Sequence, residues 1–334
     1  MLCSCQAGFE DLLAQELAAA GAVVQERGPA WVLAAGAAPP PELVFAHQIL
    51  PAPTEIRGES VNALAQEIFA AFASSLRGER LEAPWPNCWQ HPPEVAGLGR
   101  RTGAVADAFD LLLRRKLARV AKLAHPGLPR APGPARGLFV WFADFGRAWI
   151  SRDAWINGPR RMADDDLAPS RSYLKLEEAY VVLGREPAPG ETVADLGAAP
   201  GGWSYSAAKR GARVIAVDNG PLKGGAADHP RIEHRRADAF GFHPGPGEQF
   251  DWLLCDLVED PRQVLQGIVF PWLERRWCRQ FVVNLKFGRV DPLALIRELR
   301  APDAPLVMRG EEVRIRHLFH DREELTLVGR VRPA

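Results

Sequence analysis

Two apolar, strand-like runs of this chain end on a charged residue. Leu253-Leu254-Cys255 runs into Asp256, and Phe281-Val282-Val283-Asn284-Leu285 runs into Lys286. A lone lysine at a strand end is usually structural or solvated. A lysine and an acid ending separate strands, together with a ligand-binding loop, form instead a candidate site for proton transfer and charge stabilisation. Two more polar clusters interrupt apolar surroundings. Ser170-Arg171-Ser172-Tyr173-Leu174-Lys175-Leu176-Glu177-Glu178 lies upstream of them, and His320-Asp321-Arg322-Glu323-Glu324 precedes the alternating Leu325-Thr326-Leu327.

The ligand loop is the most specific segment of the chain: Val193-Ala194-Asp195-Leu196-Gly197-Ala198-Ala199-Pro200-Gly201-Gly202-Trp203. An apolar strand runs into a glycine-rich turn that opens a helix. Glycines there let the backbone approach a ligand closely and adopt positive φ. The turn is not the GxGxxG of a dinucleotide site, and a proline stands inside it. No GxxxxGK[ST] loop for a nucleoside triphosphate is present either. The pattern fits a cofactor with a methionine sulfonium, whose carboxylate the free N–H groups of a helix start can accept. Ala216-Val217-Asp218 ends the next strand, where an acid can accept ribose hydroxyls. Asp238 is expected to close a third strand and to face an adenine amino group.

These residues need a scaffold that brings strand ends together. From 192 onward apolar strands and amphipathic helices alternate: strands over 192–196, 213–217, 251–255, 280–286, 313–318 and 324–328, and helices over 202–209, 264–275 and 292–299. That alternation predicts an α/β domain with a mostly parallel sheet and helices on both faces. Ligands of such sheets sit at the carboxyl ends of the strands.

The first half has a different texture. Apolar spacing predicts helices over 9–17, 43–50, 62–76 and 104–123 and strands over 23–25, 30–34, 138–142 and 147–151. A Pro/Trp-rich patch over 84–93 and a Pro/Gly-rich connection over 126–137 are read as irregular. The resulting organisation is a small α+β unit over 1–55, a second unit over 56–156, a polar linker over 157–168 and the α/β domain over 169–334.

Net charge is zero over 334 residues, but it is unevenly spread. Residues 100–161 carry 13 Lys/Arg against 4 Asp/Glu, while residues 1–99 carry 4 against 11. A basic segment in a neutral protein is a candidate footprint for a polyanion, with a solvated helix face as the competing reading. Trp85, Trp89 and Trp155 could stack bases there, with core packing as the alternative. Five scattered cysteines give neither a disulfide framework nor paired zinc ligands, so no metal is expected. No apolar run reaches the ~18 residues of a membrane span, and the first residues lack the features of a signal peptide. A cytoplasmic monomer with no membrane partner is expected.

The polar clusters and the loop together resemble the FtsJ-like ribose 2′-O-methyltransferases. The resemblance rests on Ser170-Arg171-Ser172, Lys175-Leu176-Glu177-Glu178, the 193–203 loop, Cys255-Asp256-Leu257-Val258, Asn284-Leu285-Lys286 and the closing Arg322-Glu323-Glu324. It extends from about 169 to 330. Ala216-Val217-Asp218-Asn219-Gly220-Pro221 and His320-Asp321-Arg322-Glu323-Glu324 are closest to the bacterial RlmM type, which acts on a cytidine ribose of large-subunit (23S) ribosomal RNA. The resemblance implies a Rossmann-like methyltransferase domain preceded by a ferredoxin-like and THUMP-type RNA-binding region. It implies S-adenosyl-L-methionine as cofactor and RNA as partner.

It also implies a catalytic tetrad, which maps here onto Lys175, Asp256, Lys286 and Glu324, with Glu323 as the alternative for the last place. Lys286 is then the general base. Ser172, Ala199, Pro200, Gly201, Gly202, Asp218, Asp238 and Asp256 are the implied cofactor contacts. Ala199 departs from close members of the type, which carry cysteine there. For Lys286 to act as a base its ammonium must lose a proton. Burial and Lys175 favour that loss and the two carboxylates oppose it. Competing readings are a 2′-O-methyltransferase of transfer RNA and a degenerate, inactive domain serving as an RNA platform. A nicotinamide oxidoreductase is disfavoured by the loop.

Overall fold

The computed structural model describes residues 1–36 and 42–333. The chain divides into two compact units, Met1–Gly158 and Pro159–Ala334.

The first unit is built on one nine-stranded sheet. In spatial order its strands are Val23–Gly28, Trp31–Ala35, Leu2–Ser4, Gln48–Leu50, Arg147–Ile156, Gly133–Phe142, Trp85–Gln90 and Ala124–Pro126, with Thr54–Arg57 also paired to Arg147–Ile156. The anticipated boundary at 55/56 therefore falls inside Thr54–Arg57, a strand of this sheet. Helices Val61–Ser75 and Leu98–Lys116 pack on it through Leu64, Ile68, Phe72, Val105, Phe109 and Leu113, all buried.

Three local expectations are corrected here. Residues 43–50 do not form a helix. The Glu16 carboxylate accepts the backbone N–H groups of Val44 (2.7 Å) and Phe45 (3.1 Å), and Gln48–Leu50 joins the sheet beside Leu2–Ser4. The patch at 84–93 contains a strand, Trp85–Gln90, parallel to Gly133–Phe142; burial of Trp85, Asn87 and Cys88 in the sheet overrides the local signal of its prolines. The helix placed at 104–123 starts after Gly97, which takes φ +80°, and breaks at Leu117, leaving a separate turn Ala118–Ala121.

The second unit carries the α/β sheet. Its strands are β1 (Thr192–Leu196), β2 (Arg213–Val217), β3 (Ile232–Arg235), β4 (Phe250–Cys255), β5 (Cys278–Lys286), β6 (Gly310–Arg316) and β7 (Glu324–Val331). Their order is β3-β2-β1-β4-β5-β7-β6. The first five run parallel, and β7 is antiparallel to both of its neighbours. β1 and β4 are apolar almost throughout because both faces of the sheet are covered. Val193, Val214, Trp252, Leu254, Val282 and Val328 pack with Leu176, Tyr180 and Leu183 of helix Tyr173–Leu183 and with Trp203 and Ala207 of helix Gly202–Ala208. β3 ends at Arg235, so Asp238 lies beyond the strand rather than closing it. Among the described residues no helix is long and apolar enough to cross a membrane.

Candidate active site

The strand order places the carboxyl ends of β1, β4 and β5 side by side, and the reversed β7 brings its amino end to the same edge. Lys286 is the last residue of β5 and Glu324 the first of β7, and they are direct register partners. Asp256 follows β4 immediately. Lys175 comes from the first turn of helix Tyr173–Leu183. Four residues far apart in sequence thus converge for reasons of topology.

Their contacts form a closed set. Lys175 pairs with Glu324 Oε1 and Lys286 with Glu324 Oε2. Lys286 Nζ also donates to Asp256 Oδ1 at 2.5 Å and to Asn284 Oδ1 at 2.9 Å. Lys175 Nζ stands 3.8 Å from the same Asp256 oxygen. An ammonium has three N–H donors, and all three of Lys286 are engaged. Glu323 is exposed, and it is Glu324 that pairs with both lysines.

The competition over the Lys286 proton has a clear outcome. Burial pulls its pKa down, but the charges of Asp256 and Glu324 and their hydrogen bonds outweigh burial and hold it above the ordinary lysine value. Burial raises Asp256 despite the two lysines. Burial also acts upward on Glu324, but Lys175 and Lys286 prevail and its carboxyl lies below the usual range. The resting state is therefore an ammonium clasped by carboxylates.

The glycine loop lies next to this set. Gly197 takes φ +80°, and a Cβ there would sit 2.5 Å from Leu257 Cδ2, so only glycine lets the loop pack against the residue after Asp256. Gly201 takes φ +106°, and a Cβ would meet Ala226 Cβ at 2.5 Å. At Gly202 a Cβ would meet the hydroxyls of Ser170 and Ser172 at 2.8 and 2.9 Å. Ser172 is tied to the loop through its carbonyl, which accepts from Trp203 Nε1 at 2.9 Å. The Asp218 carboxylate braces the turn, accepting from Ala199 N at 3.0 Å and Gly220 N at 2.7 Å. Pro200 follows on that braced segment, its carbonyl accepting from Lys223 N at 2.9 Å. Each carboxylate oxygen of Asp218 retains a lone pair for a further donor.

Asp238 lies on the segment that follows β3. It is exposed and caps the turn Ala239–Gly241, accepting from Phe240 N at 3.0 Å.

Several residues with a part in the site stand within the motif segments but have no role assigned from the sequence. Asp195 is buried beneath the loop; one oxygen accepts from Ser204 Oγ at 2.6 Å and Oδ1 has no partner. Burial pushes its carboxyl up to about 7, with the charges of Asp256 and Asp218 adding to the effect. A buried carboxylate oxygen awaiting a donor, beside glycines that clear the backbone, fits a ligand with an ammonium group, as the methionine end of S-adenosylmethionine has. Asn284 and Asp321 likewise stand in motif segments without an assigned role, although the two-residue spacing of Asn284 and Lys286 on one strand face is a readable signal.

The Rossmann-like sheet and this site define a class, the S-adenosylmethionine-dependent RNA methyltransferases, and the FtsJ-like methyltransferase family matches residues 168–267. Relatives extend the match to the whole chain. A ribosomal RNA large subunit methyltransferase M of Halorhodospira halophila is 35% identical over 98% of this chain and 95% of its own length. The namesakes of Xanthomonas oryzae pv. oryzae and Stenotrophomonas maltophilia are each 35% identical over 98% of this chain, covering 98% and 96% of their lengths. The chain belongs to the ribosomal RNA large subunit methyltransferase M family. S-adenosyl-L-methionine is its cofactor, and it methylates RNA.

Proposed function

We propose that the protein methylates a ribose 2′-hydroxyl of RNA, at a cytidine of large-subunit ribosomal RNA, with Lys286 as general base. The observation that carries this reading is the closed set Lys175–Glu324–Lys286–Asp256 at the strand ends, packed against the glycine loop. The names of the relatives support the ribosomal RNA substrate.

S-adenosylmethionine supplies an electrophilic methyl group. Ser172, Ala199, Pro200, Gly201, Gly202, Asp218, Asp238 and Asp256 would hold it, with Asp195 as a further contact. The residues of the chain have two tasks: to align the ribose oxygen and to take its proton, because an alcohol is a poor nucleophile. Lys286 is ready only after it gives up a proton. Burial favours the neutral partner on both sides of the Lys286–Asp256 pair, lowering the lysine and raising the acid. Substrate that displaces water from the site deepens that effect and shifts the pair toward a free amine and a carboxylic acid. The amine then takes the 2′-hydroxyl proton. Lys175 and Glu324 fix the position of Lys286 throughout.

The first unit is proposed as a ferredoxin-like part, about 1–55, followed by a THUMP-like RNA-binding part, about 56–156. Arg114, Arg115 and Lys116 end the helix Leu98–Lys116, Arg119 lies on the turn Ala118–Ala121 and Lys122 directly after it, and all five are exposed. Arg136, Arg147 and Arg152 of the same basic segment are paired instead with Glu79, Asp153, Glu26 and Glu55. The footprint is thus narrower than the charge count implies. Trp85 is core, with its Nε1 donating to Val120 O at 3.0 Å, and Trp89 packs edge-on against Phe109; Trp155 is half-buried and lines a surface groove. A cytoplasmic site of action follows from the substrate. Mass-spectrometric mapping of ribose methylation in ribosomal RNA from a strain lacking the gene tests the reading. One cytidine losing its 2′-O-methyl group supports it; an unchanged large-subunit RNA overturns it.

A further inference from the structure

Behind Lys286 lies a buried polar network. Asn284 is fully buried on β5, two residues before Lys286 and on the same face of the strand. Its Oδ1 accepts from Lys286 Nζ at 2.9 Å, and its Nδ2 donates to Asp321 Oδ1 at 3.0 Å and Thr326 Oγ1 at 3.1 Å. Asp321 is 1% exposed and held in place by Leu318 N at 2.9 Å and Thr326 Oγ1 at 3.0 Å. An amide accepts on one side and donates on the other. The Lys286 ammonium offers only donors, so the Asn284 oxygen has to face it; burial pushes the Asp321 carboxyl up to about 7, and in its ionised form Asp321 offers only acceptors to the amide's other side. The reverse orientation would aim an NH₂ at an ammonium and leave two oxygens face to face.

We propose that Asp321 and Asn284 are a positioning pair for Lys286: Asp321 sets the amide, and the amide sets the amine. The proposal rests on the reading of Lys286 as general base. Lys175, Asp256 and Glu324 are the charged groups around Lys286, and the two carboxylates bind its ammonium strongly. Asn284 is the neutral partner. It can keep accepting an N–H after the proton has left, which directs the amine's lone pair away from the strand. Asp321→Asn keeps the shape; with its oxygen held by Leu318 N, it places its NH₂ toward Asn284 and so drives that amide to turn over.

The test uses the full chain, tritiated S-adenosylmethionine and large-subunit ribosomal RNA from cells lacking the gene, in single turnovers across pH. Asn284→Ala and Asp321→Asn are each expected to slow methylation about ten- to a hundredfold, the range typical of groups that orient a functional side chain. Calorimetric affinity for S-adenosylmethionine stays at the wild-type value and certifies the fold. The acid limb of the rate profile moves to lower pH, because an ammonium that has lost an acceptor releases its proton more easily. In a Lys286→Ala background Asn284→Ala costs nothing more. Additive losses in the double variant, or unaltered rates and limbs in the single ones, overturn the pairing while leaving the base intact. Near-wild-type turnover by Lys286→Ala overturns the base reading and the pairing with it. If Asp321→Asn fails to fold, Asn284→Ala and the double variant decide the matter.

Discussion

Lys286 and Glu324 face each other across the antiparallel pairing of β5 with β7, so the carboxylate meets the lysine with no loop between them. Lys175 holds the other oxygen of the same carboxylate. Glu324 therefore acts as a clamp on both ammonium groups, and its charge helps keep the Lys286 pKa high. Glu324→Gln removes that charge and lets the Lys286 pKa fall. The acid limb of single-turnover methylation should shift to lower pH while the plateau rate drops about tenfold or more as the clamp loosens. A limb that stays in place would show that Glu324 does not hold the proton.

Gly201 is the most exacting point of the cofactor cradle. Its φ of +106° disfavours a side chain, and any Cβ would collide with Ala226 and press on Leu222. Gly201→Val should abolish S-adenosylmethionine binding in calorimetry while far-ultraviolet circular dichroism retains the folded signal. Wild-type affinity in a folded Gly201→Val protein would remove the loop from the cofactor site.

The exposed basic helix end should touch phosphates without reading sequence. Replacing Arg114, Arg115 and Lys116 together by Ser should weaken RNA binding and flatten its salt dependence, by about one unit of slope for each phosphate that is no longer neutralised. Affinity for S-adenosylmethionine should not change. An unaltered salt slope would identify these residues as a solvated helix face.

Asp195 makes stability depend on pH in the unusual direction. Burial raises its carboxyl to about 7, above the unfolded value, so the native state keeps its proton up to about that pH. The stability this contributes is complete below the unfolded pKa and is lost as pH rises through about 7. Without cofactor, the melting temperature of the wild type should fall between about pH 4 and 7 relative to Asp195→Asn, which stays neutral throughout. Parallel melting curves for the two proteins would contradict the assignment.

The α/β half is largely legible because its signals are redundant. β1, β2 and the helix Pro292–Leu299 have the bounds the apolar pattern implies. The polar residues that end β4 and β5 mark the functional edge of the sheet. Asp238 falls outside the strand because β3 is short and half-exposed, which leaves too little apolar pattern to fix its end. The first half is harder to read for the same physical reason. Residues 43–50 are largely apolar, and such a run does not distinguish helix from strand until Glu16, far away in sequence, takes its N–H groups. The motifs contain Asp195, Asn284 and Asp321, but not their roles, because a buried polar residue declares its role only through its partners.

The central claim is that Lys286 takes the ribose proton. Single-turnover methylation of large-subunit ribosomal RNA by Lys286→Ala and Lys286→Arg measures it directly. Lys286→Ala should lose about 10²–10⁴ in rate with its cofactor affinity nearly intact. Lys286→Arg should be no faster, because a guanidinium pairs with Asp256 and Glu324 but stays protonated and cannot accept a proton. Turnover by Lys286→Arg close to the wild-type rate would contradict the account, since a fixed positive charge would then suffice and the proton would have to leave by another route.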